Sequence, residues 1–359
     1  MRNLRLKATP AHLSWIAGLL VAGSLLIAGP GNAESKFNQP GNILITDQFN
    51  NRVIEIDPAG NIVWEFGNGP GDTAANAIVG TNDAERVGNL TLMSGTGIPA
   101  GATTNCKKSG CVDNRVLIVD RGGNIVWQYG QFGVTGFGPD QLNTPVQNTY
   151  LPTSGNVLIT DQGNERVIEV RRRDNTIVWQ YGESGVVGNG PDQLNNPNAA
   201  ELLANGHILI SDENNNRAIE VTHTTPSQIV ATFTAHGTAS GVAFASRLPN
   251  GNTLLTDSNN SRIVEVDAND NPVWEYFTNT RPGSNPSPLP TRAVRLANGN
   301  TLISDQFNDQ VIEVNPSKVI VTSYGTINDA GFSPSTAIQM NAPYSAYLIG
   351  DYTGITPPF

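Results

Sequence analysis

The sequence predicts an all-β fold, a six-bladed β-propeller of four-stranded blades. Two observations predict it: a self-similar unit occurs six times along the 359 residues, and each copy holds four short runs of β-branched residues bounded by turns. The 37 glycines and 23 prolines also suit many short strands joined by turns better than a helical protein.

The second strand of each copy shows the repeat most clearly. It begins Gly-Asn-Ile-Leu-Ile-Thr-Asp at Gly41 and returns at Gly155, Gly206, Gly251 and Gly299, each time closing on an aspartate. The first spacing, 114 residues, is about twice the others, and a degenerate copy with strands at 90–94 and 114–120 fills that gap. Asn-Gly pairs before this strand are typical of two-residue hairpins.

The third and fourth strands follow in the same order in each copy, as at 52–56 and 61–67. Their alternating β-branched residues predict half-buried strands. The fourth strand carries a tryptophan in four copies, Trp64, Trp127, Trp179 and Trp274, which we interpret as packing between blades.

The first strand of each blade predicts how the ring closes. It follows a proline in four copies and carries alanine at the same position in five of six, which fits crowding around an axis. The C-terminal copy stops after this strand and the N-terminal copy lacks it. We therefore expect residues 344–349 to complete the blade that begins at Asn42, covering two open sheet edges.

Residues 1–33 have the pattern of a secretory signal peptide, with a basic start, an apolar run and small residues before a cleavage point after Ala33. An uncleaved anchor is the alternative, but the run is shorter than the ~20 apolar residues of a spanning helix. Residues 34–359 are predicted to form one propeller domain that is exported, periplasmic or secreted, without stable membrane insertion after cleavage.

The two cysteines, Cys106 and Cys111, lie in a loop insertion at 95–113. In an oxidising compartment we expect them to form a disulfide that staples this loop. The net charge of −10, from 31 acidic and 21 basic residues, argues against a nucleic-acid partner, since phosphates require clustered Lys and Arg.

An Asp-x-x-Asn-x-Arg pattern recurs around the ring, as in Asp47, Asn50 and Arg52. Because an active site is singular, we interpret these repeated residues as structural, capping turns and bridging to neighbours. A repeated glutamate in the third strand, first seen as Glu55, is interpreted as an ion-pair partner between blades.

This pattern and the connector Gly-Pro-Asp-Gln-Leu-Asn-x-Pro, at 138–145 and 190–197, resemble the NHL repeat over roughly residues 38–349. The resemblance implies a six-bladed propeller but not a function, since such propellers serve as binding platforms, sensor domains and enzymes. The Asn-Gly-Asn and Ile-Val-Trp strands are also similar to secreted arylsulfotransferase propellers, which rely on a central catalytic histidine.

The candidate site lies where the copies differ. The face with the long connectors and the 95–113 insertion is the expected working surface, since loops on a rigid scaffold commonly bind ligands. Ten first-strand side chains are candidates for a ligand site at the channel mouth: Asp83, Glu85, Arg86, Asn148, Tyr150, Asn198, Glu201, Arg247, Arg292 and Arg295. A paired, water-filled channel without a ligand is the alternative.

The function we predict is a binding scaffold for a protein or a polar small molecule at the loop-rich face. The residue types favour this role over that of an enzyme. The first alternative is a metal-dependent hydrolase, lactonase or lyase at the channel mouth, using Ca²⁺ held by Glu85, Asn148, Asn198 and Glu201. An arylsulfotransferase-like enzyme is the third. Catalytic residues and oligomeric state are not assigned, and calcium is the one cofactor the residue types suggest.

A zinc lyase with three histidine ligands is disfavoured. Only His207, His223 and His236 follow the leader, and the repeat places them apart. The chain also lacks a phosphate-binding loop and a serine nucleophile elbow.

Overall fold

The computed structural model describes residues 36–351, and the predicted signal peptide at 1–33 lies outside them. Six four-stranded antiparallel sheets form a β-propeller, as predicted. No helix among the described residues is long and apolar enough to cross a membrane.

Each blade runs from an inner strand at the axis to an outer strand at the rim. The six blades are, in order, β24 (Pro343–Leu348), β1 (Ile43–Asp47), β2 (Arg52–Ile56), β3 (Ile62–Phe66); β4 (Thr81–Val87), β5 (Leu90–Gly95), β6 (Arg115–Val119), β7 (Ile125–Gly130); β8 (Pro145–Leu151), β9 (Asn156–Asp161), β10 (Arg166–Arg171), β11 (Thr176–Tyr181); β12 (Pro197–Leu202), β13 (Ile208–Asp212), β14 (Arg217–Val221), β15 (Ile229–Phe233); β16 (Val242–Arg247), β17 (Thr253–Asp257), β18 (Arg262–Val266), β19 (Pro272–Phe277); β20 (Arg292–Arg295), β21 (Thr301–Asp305), β22 (Gln310–Val314), β23 (Ile320–Tyr324).

The C-terminal strand closes the ring, which confirms the prediction. β24 pairs antiparallel with β1, with Ala346 opposite Ile45 and Leu348 opposite Ile43. Blade 1 therefore contains strands from both ends of the described chain, and the edges that β1 and β24 would otherwise leave open are paired with each other.

The apolar core is divided among the blade interfaces. Each of the six interfaces has its own cluster of buried aliphatic and aromatic side chains. The repeated inner-strand position is buried in every blade, by Ala84, Asn148, Ala200, Ala245, Ala293 and Ala346. Small side chains there let the inner strands approach the axis closely.

The repeated polar residues are structural. In four blades the arginine Nε lies 2.7–2.8 Å from the aspartate Oδ2. In the same blades the other aspartate oxygen accepts a backbone N–H from the connector that enters the blade, as in the bond from Asn143 to Asp161. The tryptophan indoles donate to a carbonyl of the following blade at 2.9–3.2 Å. Both contacts hold neighbouring segments of the ring together.

Blade 6 has Gln310 where the repeat has arginine, and a connector residue replaces the missing cation. Arg281 donates to Asp305 at 2.6 Å and to Gln310 at 2.8 Å. Asp305 is fully buried, and burial raises its pKa to about 6. The buried aspartate is therefore ion-paired in blade 6 as in the other blades, but its cation comes from the connector and not from the third strand.

We expect Arg281→Gln to lower the free energy of unfolding by about 2–3 kcal/mol, because it leaves the buried Asp305 carboxylate without its cation. Adding Gln310→Arg should return stability to within about 1 kcal/mol of wild type, since arginine occupies that position in other blades. Urea unfolding of both variants measures this. A double variant no more stable than Arg281→Gln would contradict the replacement.

Candidate functional site at the loop-rich face and the axis

The connectors between blades and the turns between second and third strands lie on one face, which we call the upper face. Asp161 and Asp212, at the ends of β9 and β13, accept backbone N–H groups of Asn143 and Asn195 in the connectors at 2.8 Å. The opposite face, with the turns between third and fourth strands, is the lower face.

The 95–113 insertion is anchored on the upper face. Ile98 and Cys111 exchange two backbone hydrogen bonds of 2.8 and 2.9 Å, and the predicted Cys106–Cys111 disulfide is present with a Cα–Cα distance of 5.3 Å. Ile98 and Cys106 pack on buried Val79. The insertion therefore forms a stapled wall on this face.

A groove of about 360 Å³ runs beside this wall towards the axis. Its volume falls within the range of small-molecule sites. The residues that line it are Gln48, Asn82, Thr96, Gly97, Ile98, Pro99, Ser109, Cys111, Val112, Asn114, Thr135, Asn143, Thr144 and Gln162. None of these side chains is charged, and most carry an amide or a hydroxyl group.

The channel mouth is bridged by amides that sequence reasoning missed. Gln306 donates to Gln48 at 2.9 Å, and Gln48 donates to Asn82 at 2.7 Å. Gln48 and Gln306 each follow the closing aspartate of a blade, so comparing that position across the copies could have identified them.

A second group completes the mouth. Asn198, a predicted site residue, donates to Glu213 at 2.8 Å and contacts the hydroxyl of Tyr344 at 2.9 Å. Burial raises the pKa of both Glu213 and Tyr344. The axial cavity beneath has about 10 Å³ of free space, enough for about one water molecule.

Three predicted site residues meet below the mouth. Arg292 lies 2.8 Å from Asp83 and 3.3 Å from Glu201, so one guanidinium bridges carboxylates of two other blades. The guanidinium carbon is 4.1 Å from the ring centroids of both Phe244 and Tyr347. Asn148, also predicted, donates to Asp83 at 2.7 Å. These contacts make the axis a filled ionic core.

Glu85 adds a third carboxylate without a cation of its own. One oxygen accepts the backbone N–H of Tyr150 at 2.9 Å, and the other, Oε1, is buried with no hydrogen-bond partner among residues 36–351. Burial, reinforced by the negative charges of Asp83 and Glu201, raises the pKa of Glu85 well above its usual value.

Glu85→Gln is expected to stabilise the protein by about 1 kcal/mol or more at pH 8, because each unit of pKa shift corresponds to ~1.4 kcal/mol. A carboxyl with a raised folded-state pKa contributes stability below its unfolded pKa and loses it as pH rises through the folded pKa. The advantage should therefore disappear near pH 4. Thermal melts across this range measure it, and destabilisation at pH 8 would contradict an unpaired, buried Glu85.

The remaining predicted site residues lie between blades. Arg86, Arg247 and Arg295 pair with glutamates of the preceding blade, Glu55, Glu220 and Glu265, at 2.6, 2.9 and 3.0 Å. These pairs confirm the interpretation of the repeated glutamate in three blades, whereas Glu313 accepts hydrogen bonds from Asn298 and Asn300 of its own blade. The ring of Tyr150 lies 5.8 Å from the Arg172 guanidinium. The structure does not bring these four side chains into the Arg292 cluster.

Among residues 36–351, no group of three or more His, Cys, Asp or Glu side chains is arranged to hold a metal ion. Of the proposed calcium ligands, Glu201 faces Arg292 and Asn198 is bonded at the mouth to Glu213. His207 pairs with Glu220 of its own blade at 2.7 Å, and His223 pairs with Glu169 of the preceding blade at 2.8 Å. Neither histidine takes part in the ionic cluster around Arg292.

No protein-family model matches the chain. No curated protein matches it either. Solved structures similar to it include a protein of unknown function from Bacteroides caccae, 14% identical with a TM-score of 0.57, covering 86% of this chain and 98% of that one.

Virginiamycin B lyase from Staphylococcus aureus is similar at 14% identity and a TM-score of 0.51, over 81% of this chain and 82% of that one. A chain of a nidogen/laminin complex is similar at 10% identity and a TM-score of 0.51, over 79% and 92%. At such identities the comparisons support the propeller fold and carry no activity over to this chain.

Proposed function

We propose that the chain is an exported NHL-like propeller that binds an uncharged, hydrogen-bonding molecule, such as an oligosaccharide, in the upper-face groove. The observation that carries the proposal is the lining of the groove, which is rich in amides and hydroxyls and has no charged side chain. A charged ligand would find no counter-charge there, whereas a sugar finds donors and acceptors.

Part of this lining is free to bond a ligand. Gln162 on blade 3 and Ser109 on the insertion form no side-chain hydrogen bond within residues 36–351. Asn114, by contrast, donates to Val134 and Thr135, so its side chain is fixed in the groove lining. The groove thus combines side chains fixed by hydrogen bonds with polar groups, on blade 3 and on the insertion, that have no partner among the described residues.

The insertion supplies the feature that other blades lack. Only blade 2 among the described blades carries such a stapled segment between its second and third strands. Its disulfide is compatible with an oxidising compartment, which supports export. A rigid wall also lowers the entropy lost when a ligand is bound.

Shortening the insertion tests the site. Replacing residues 99–110 with Asn-Gly, together with Cys111→Ser, keeps the backbone pairing of Ile98 with residue 111 but removes the wall. The probes are cellotetraose and chitotetraose in calorimetric titrations, with a tetragalacturonate as the charged comparison.

We expect a neutral tetrasaccharide to bind wild type and to bind the shortened variant at least about tenfold more weakly. Glu85→Gln is the control, since its side chain lies in the axis. Equal binding by wild type and the shortened variant, or binding of tetragalacturonate alone, would contradict the proposal.

No specific observation supports the alternative of a calcium-dependent enzyme at the axis. A cation there would have to displace Arg292 from Asp83 and Glu201. A metal that binds only the native state raises the melting temperature by mass action, and a chelator removes this increase. We therefore expect EDTA to leave the melting temperature unchanged within about 1 °C. A stoichiometric metal, with a melting temperature lowered by EDTA, would favour the enzyme.

A further inference from the structure

The turn between the third and fourth strands of blade 3 differs in charge from the same turn elsewhere. In three other blades it opens with an aspartate, Asp57, Asp120 or Asp267, which accepts a backbone N–H four residues on at 2.9 Å. Blade 3 has three consecutive arginines instead, at 171–173. An acidic, self-capped turn has become a basic one.

These arginines line a pocket of about 610 Å³ on the lower face, at the seam of blades 2 and 3. Val126 and Trp127 of β7 and the turn 154–156 form its other walls. This second turn also departs from the repeat: Gly155 donates to the carbonyl four residues back, whereas Gly206 donates three residues back. Both turns of blade 3 that border the pocket are thus specific to it.

Arg172 is held between aromatic rings and is not neutralised. Its guanidinium carbon lies 5.8 Å from the ring centroids of both Trp127 and Tyr150, within the range of cation–π attraction. Its Nε is buried without a hydrogen-bond partner, and it forms no ion pair within residues 36–351. The rings lie beside the guanidinium, and its terminal amino groups have no carboxylate partner in the described part of the chain.

The pocket carries surplus positive charge. Arg171 and Arg173 share one carboxylate, Asp174, at 2.9 and 3.5 Å. Three cations thus face one anion, in a chain whose formal net charge is −10. A basic pocket on an acidic protein concentrates anions locally while the rest of the surface repels them.

We propose that this pocket binds a small molecule that carries a phosphate monoester, independently of the upper-face groove. The planar guanidinium forks of the arginines match the oxygens of a phosphate group. Trp127 and Val126, which is 52% exposed, offer apolar surface for a ring or alkyl part of the same ligand. The combination selects an anion with an apolar substituent over a free inorganic ion.

Calorimetric titration with phenyl phosphate at low ionic strength tests the proposal. Wild type is expected to bind, and Arg172→Gln and Arg173→Gln to bind at least about tenfold more weakly each. Arg173 is largely exposed, with 76% of its side chain accessible, so its replacement keeps the test valid even where Arg172→Gln disturbs packing. Phenol should not bind detectably.

Arg121→Gln is the matched control. Arg121 lies in the corresponding turn of blade 2, where Trp64 donates to its carbonyl at 2.9 Å as Trp127 donates to that of Arg172. This variant should bind phenyl phosphate as wild type does. No binding by wild type, or equal weakening by Arg121→Gln, would overturn the proposal.

Phosphate on a lipid headgroup is the second source of the same chemistry. Phosphatidylcholine vesicles that contain phosphatidic acid, whose headgroup is a phosphate monoester, are compared with pure phosphatidylcholine vesicles to distinguish it from a soluble ligand. Co-sedimentation with the vesicles that contain phosphatidic acid, combined with no binding of phenyl phosphate, would overturn the assignment to a small soluble molecule.

Discussion

Removing residues 343–359 is expected to abolish cooperative unfolding of the protein. The truncation deletes β24, the inner strand of blade 1, and leaves β1 as an open edge at the centre of the ring. It also removes Ala346 from a buried cluster and Tyr347 from the face of Arg292. The damage therefore reaches both the apolar interface of blades 1 and 6 and the ionic core.

Circular dichroism and calorimetric melts of the truncated chain measure this effect. The control is a circular permutant in which residue 351 is linked to residue 36 and the chain opens in the connector 326–335. It keeps every blade, since Gly41 and Ile349 are already joined by a backbone hydrogen bond of 2.9 Å. A truncated chain that melts cooperatively within a few degrees of wild type would contradict closure by β24.

Arg292→Ala should lower the free energy of unfolding by about 3–5 kcal/mol at pH 8, the usual cost of leaving a buried charge unpaired. Arg292 is 4% exposed and faces Asp83 and Glu201. Burial already raises the pKa of Asp83, and the Arg292 charge opposes that rise. Without the cation, Asp83 becomes costly to ionise inside the ring.

The pH dependence has a definite sign. A carboxyl whose folded-state pKa is raised costs stability increasingly as pH rises and costs nothing once protonated. The deficit of Arg292→Ala should therefore be largest near pH 8 and shrink towards pH 5. Arg247→Ala is the control, because Glu220 keeps its contacts with Asn205 and His207 when Arg247 is removed, so the loss should be smaller, about 1–2 kcal/mol. Equal losses in the two variants would contradict a special role for the axis.

The sequence was sufficient to predict the features that depend on counting copies. The strand missing from the first copy and left over in the last predicted the pairing of β24 with β1. The repeated glutamates and tryptophans predicted contacts between blades. A close pair of cysteines within one insertion predicted the disulfide.

The contacts that the sequence did not predict depend on the direction in which long side chains extend. Arg86 and Arg292 both lie on inner strands, yet one turns to a neighbouring glutamate and the other crosses the axis. Arg281 takes the role of the repeated arginine in blade 6, but it lies in a connector and not at a position that recurs in the repeat. Such choices depend on three-dimensional distances between charges, which strand position alone does not define.

Hydrogen–deuterium exchange with and without a neutral tetrasaccharide tests the proposed site most directly. We expect slower exchange in the 95–113 insertion and the connector 131–144, where the groove lies. The inner strands and the turn 171–175 should show no change. Protection confined to the inner strands around Arg292, with none in the insertion, would contradict a binding site at the upper-face groove.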